Sequence, residues 1–105
     1  MDAPCPDPPF ASLTELAEVA TAGVLFNLEA GDHLAAEALQ PVARAAWAAV
    51  ADRAGTGELV RAARRAQGAL AMSCGMAGER RFLADVLAYL AADTDRVWNR
   101  RRGCS

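Results

Sequence analysis

His33 is the only histidine in the chain, and it stands four residues before Glu37 with Glu29 and Asp32 just upstream. An imidazole and carboxylates on one side of a helix are a donor set for a divalent cation. Here Gly31 interrupts the helical spacing between Glu29 and His33, and no second imidazole exists, so the spacing predicts a solvated histidine beside an acid and no metal. The three thiols, Cys5, Cys74 and Cys104, lie far apart and lack the CxxC or HxxxH spacing of a tetrahedral site. They read as free thiols in a reducing compartment. No serine or cysteine forms a nucleophile motif with His33, and Gly75 and Gly78 cannot belong to a phosphate loop in a chain without lysine. The expectation is a protein that is not an enzyme, with no catalytic residue and no cofactor.

Arginine carries the remaining polar chemistry. Arg61, Arg64 and Arg65 fall on one side of a predicted helix, and Arg80 with Arg81 open the next. Ala71 and Gly75 have the four-residue spacing of the small residues in a helix-turn-helix, which residues 59–90 resemble in a degenerate form; Arg80 and Arg81 then occupy the place of base-reading side chains. Position 81 departs from the motif, because it is charged where an apolar residue would lock the two helices together. Charge is also divided along the chain. Residues 1–60 hold nine acids against Arg44 and Arg53, net −7, whereas residues 61–105 hold nine arginines against four acids, net +5. Guanidinium forks suit carboxylates and phosphates alike, so the basic half implies a larger protein or nucleoprotein partner and, as the alternative, nucleic acid.

These residues need elements to hold them. Residues 1–11, with four prolines before Phe10, read as a loose arm, residues 12–98 as one helical domain, and residues 99–105 as a basic tail. Ser12-Leu13-Thr14-Glu15 is a capping box that starts a helix over about 13–30, closed by a left-handed Gly31. Its apolar face, Leu13, Leu16, Ala17, Ala20, Gly23, Val24 and Leu28, also takes in Asn27, an amide that must bond elsewhere, to a neighbouring helix. Leu25 points the other way. Asp32 caps a short helix over 33–39, Pro41 opens another over 41–54, and a fourth stretch from Glu58 to about Cys74 presents Leu59, Ala62, Ala63, Ala66 and Leu70 on one face. The last helix, about 79–98, carries most of the bulky apolar residues, with Phe82, Val86, Leu90 and Val97 at the centre of its stripe and Leu83, Leu87 and Tyr89 on the shoulders. The short breaks predict an all-α, compact antiparallel bundle of four main helices plus one short helix.

Composition narrows the class further. Twenty-six alanines in 105 residues favour helix, and the absence of lysine and isoleucine suggests a GC-rich gene, bacterial or phage in origin. No apolar run reaches the roughly 18 residues of a membrane span, and the acids and prolines near Met1 do not form a secretory signal, so a cytoplasmic protein is expected. A small helical protein of this type is expected to act by binding a larger partner, as adaptor, regulator or inhibitor. Leu25 and Trp98 are the apolar anchors that would serve such a partner or a weak homodimer. The Ala content and the missing strand alternation together predict a far-ultraviolet circular dichroism spectrum of pure helix-plus-coil form; a substantial β component would overturn that reading.

Overall fold

A computed structural model of the chain describes residues 9–52, 55–72 and 76–101, the stretch 93–101 by its backbone alone. Every regular element among them is helical: α1 Leu13–Glu29, α2 His33–Ala51, α3 Thr56–Leu70 and α4 Ala77–Arg101. Consecutive helices pack on one another, α1 on α2, α2 on α3 and α3 on α4. Residues 1–8 and 102–105 lie outside the described residues, and so do Cys5, Cys74 and Cys104.

The start of α1 and the turn into α2 follow from a few side chains. The Ser12 hydroxyl accepts from the Glu15 N–H at 3.1 Å, and the Glu15 carboxylate reaches back to the Ala11 N–H, so two donors at the helix start are satisfied. At the other end Gly31 adopts φ 78°, a conformation that costs other residues a clash at Cβ. The Gly31 N–H then donates to Leu28 O at 3.1 Å and the Asp32 N–H to Asn27 O at 2.8 Å, the paired bonds of a Schellman termination. Asp32 also begins the next helix, because its carboxylate accepts from the Ala35 N–H at 3.1 Å.

Among the described residues four helices stand where five were expected. The break at Gln40-Pro41 is absent, and His33–Ala51 is one helix with Pro41 inside it. The reason lies in the register of its apolar stripe: Ala35, Leu39, Val42, Ala46 and Ala49 are buried at spacings of three and four residues, without a phase change at Pro41. Pro41 sits on the opposite, exposed side, as does Glu37, whose carbonyl is the one left without an amide donor. Water can serve that carbonyl, and burial of the continuous stripe outweighs the lost bond.

One core runs through all four helices. Its fully buried large side chains include Leu16, Leu39, Val42, Leu59, Leu70, Leu83 and Val86, and among the described residues ten of the twenty-one buried apolar ones are alanine. The small Ala62, Ala63 and Ala66 let α3 lie close between α2 and α4. On α4 the stripe is rotated slightly from the expectation: Leu83 and Val86 form its centre, while Phe82 is half-buried at its edge. Phe10 explains the shift. Only 6% exposed, it inserts its ring edge-on to Phe82 and Tyr89, with centroids 5.8 Å away in both cases, and so ties the residues before α1 to α4.

Two substitutions test this architecture. Pro41→Ala should restore the missing hydrogen bond and raise stability by up to about 3 kcal/mol, read from denaturant midpoints. Were Pro41 the first residue of a separate helix, the change would be neutral or destabilising. Leu83→Ala should cost about 2–5 kcal/mol; a mutant that unfolds with the wild type would place α4 in the wrong rotation.

Candidate functional site

The polar candidates are dispersed. His33 and Glu37 are both exposed on α2, and Asp32 is engaged as a helix cap. Among the described residues no three of His, Cys, Asp and Glu come together in a way that could hold a metal ion. Asn27, 4% exposed, directs its Nδ2 to Gly23 O at 2.8 Å, one turn back on its own helix and not to a neighbouring one as expected. Its Oδ1 accepts no hydrogen bond among the described residues.

The arginines separate by role. Arg61, Arg64 and Arg65 share the exposed side of α3, and Arg61 forms an ion pair with Glu58 one turn before it. Exposed pairs of this type contribute little to stability. Arg80 behaves differently. Its Nη1 donates to Leu70 O at 3.3 Å, so the guanidinium supplies a partner to a terminal carbonyl of α3 and places positive charge at the negative end of that helix. Arg81, the adjacent residue, is exposed.

Exposed apolar groups are the more conspicuous feature. Leu25 is 56% exposed, and Trp98 lies in α4 with a side chain outside the described residues. Sequence reasoning missed Phe26, which is 67% exposed, and Val19, which is 41% exposed. The two are seven residues apart on α1 and rim a groove of about 320 Å³ between α1, α2 and α4. A second depression, about 250 Å³, runs between α2 and α3 past Leu34, Pro41 and Ala66, with Arg65 on its lip. The signal that could have revealed the first groove is the pair Val19 and Phe26 flanking Gly23 on one side of the stripe, where a missing side chain leaves room beside two large ones.

Trp47 on α2 is partly exposed, and its indole N–H donates to the Thr21 hydroxyl at 2.8 Å. The Thr21 hydroxyl in turn donates to Ala17 O at 2.9 Å, so the Trp47–Thr21 pair clamps α1 to α2 by a polar contact at the edge of the core.

No protein-family model, no curated protein and no solved structure matches this chain. Function must therefore be argued from these surfaces. No helix among the described residues is long and apolar enough to cross a membrane.

The division between the two neighbouring arginines is open to direct test. Arg80→Ala should destabilise by about 1 kcal/mol through the lost bond to Leu70 O, whereas Arg81→Ala should change chemical-denaturation stability by less than about 0.5 kcal/mol. Equal effects would mean that Arg80 is as free as its neighbour.

Proposed function

We propose that this chain is a small non-enzymatic protein, its four helices arranged as an antiparallel bundle, that acts by binding a larger macromolecular partner as adaptor, regulator or inhibitor, in the cytoplasm of a bacterium or under a phage genome. The observation that carries this reading is the concentration of uncovered apolar side chains near the junction of the first two helices, where Leu25, Phe26, Leu28 and Leu34 are all exposed within ten residues. Scattered exposed leucines are ordinary, but several large ones on neighbouring turns mark a surface that gains by being covered. Trp98 remains the second anchor in this reading, and a weak symmetric homodimer through the same residues is a lesser form of it.

Regulation through nucleic acid is the second reading, favoured by the shared exposed side of Arg61, Arg64 and Arg65. Two observations weigh against it. Six residues separate α3 from α4, more than the three or four of a helix-turn-helix, and Arg80 is turned to the end of α3. If it held, duplex binding would weaken with salt at a log–log slope of about −0.9 per phosphate contacted, and Arg64→Ala with Arg65→Ala would flatten that slope.

The partner-binding reading is tested with Leu25→Ser and Trp98→Ser. Both should fold as the wild type does, yet lose the protein that the tagged wild-type chain retains in its source cell and binds again when purified. Retention and reconstituted affinity unchanged in both variants would overturn the reading. Light scattering that gives the monomer mass at high concentration would remove the homodimer.

A further inference from the structure

We infer that the groove between α1, α2 and α4 docks a cationic amphipathic helix, an inference that rests on the partner-binding reading and names the surface and the chemistry of its occupant. The shape is suited to helix-in-groove recognition. Val19 and Phe26 form one wall, two helical turns apart, and Phe82 forms the other. Leu39 closes the floor beside Gly23, where even a single Cβ would stand 3.4 Å from Leu39 Cδ1. Glycine at that position is what gives the groove its depth. Val19 and Phe26 remain exposed in the folded chain, so an apolar side chain entering here covers area that the fold leaves wet.

Two polar features choose the occupant. Asn27 lines the groove, and its Oδ1 is a buried acceptor to which no described residue donates. A buried acceptor of this kind favours a ligand that brings a donor. Charge gives the sign. Glu79 lines the groove itself. Glu15 and Glu29 stand four and three residues from Val19 and Phe26 on the same helix, and Asp85 stands three residues from Phe82. No arginine precedes Arg44 in the sequence. On α4 Arg80, next to Glu79, turns its Nη1 to Leu70 O at the end of α3, and Arg81 is four residues from Asp85; neither arginine lines the groove. Apolar walls bordered by carboxylates suit a helix with apolar residues on one face and arginine or lysine along its flanks. An acidic helix would meet like charge on both sides.

The experiment uses the full chain and two helical peptides of about 15 residues. Both carry leucine at helical spacing on one face, flanked by arginine in one peptide and by glutamate in the other. Fluorescence anisotropy should show saturable binding of the arginine peptide and none of the glutamate peptide. Amide shifts should be confined to Val19, Phe26, Asn27, Glu79 and their neighbours. Phe26→Ser, at an exposed position that leaves folding intact, should weaken binding by about tenfold or more. Glu79→Gln should weaken it less and reduce its salt dependence, while Leu25→Ser should leave it unchanged. Equal binding of the two peptides, no binding, or wild-type affinity in Phe26→Ser would overturn the proposal. A dimer of the free protein that Phe26→Ser dissolves would also overturn it, assigning the groove to a second copy of this chain. If the peptide fails while Leu25→Ser still abolishes partner retention in the source cell, the groove assignment falls and the partner-binding reading stands.

Discussion

Close approach between alanine-lined helix faces is the constraint on which the rest of this structure depends. An alanine face offers little area per residue, so water is excluded only when helix axes come near enough for methyl groups to meet backbone. The ten buried alanines spread over α1, α2 and α3 meet that condition, and seven large leucines and valines fill the spaces that remain. Because the faces are flat, small changes in helix rotation cost little until an aromatic group fixes them. Phe10 does this for α4 from outside any helix, through its edge-on contacts with Phe82 and Tyr89.

The same economy in side-chain volume shapes the surface. A core assembled from methyl groups does not need every large apolar residue, and several are left outside: Trp47 and Met72 singly, and Val19, Leu25, Phe26, Leu28 and Leu34 as a group. The group of five lies on α1 and the beginning of α2, in the acidic part of the chain. Gly23 adds a hollow beside them, since it brings α1 near Leu39 without filling the space between. Apolar exposure, a recess and a carboxylate thus coincide at the groove lined by Val19, Phe26 and Glu79, while Leu34 borders the second depression, which Arg65 shares.

Polar groups at helix ends work as joints. Asp32 closes α1 with its amide and opens α2 with its carboxylate, which permits a turn of very few residues. Arg80 supplies the corresponding contact between α3 and α4, where a long side chain spans a longer connection to reach Leu70 O. Thr21 and Trp47 tie α1 to α2 midway along their length. The helix-end contacts satisfy backbone groups that would otherwise be left without a partner.

The sequence by itself determined the all-helical class, the capping box at Ser12, the left-handed Gly31, the cap at Asp32 and the buried face of α3. These are local: they depend on side-chain spacing along one helix or on atoms within four residues of each other. Tertiary structure decided what locality could not. Whether Pro41 ended a helix depended on whether the stripes on either side of it faced the same neighbour; they do, and the helix continues. Phe10 belonged to a proline-rich arm by sequence and to the core by contact, because its partners lie more than seventy residues away. Phe26 stands two turns from Val19, a spacing that fits a covered face as well as an open one, and only the packed structure left it 67% exposed. Arg80 and Arg81 are indistinguishable as neighbours in sequence, and only the position of the end of α3 gave one of them a partner. In each case the deciding free energy came from a surface supplied by another part of the chain, and side-chain type alone carries no record of which surface that will be.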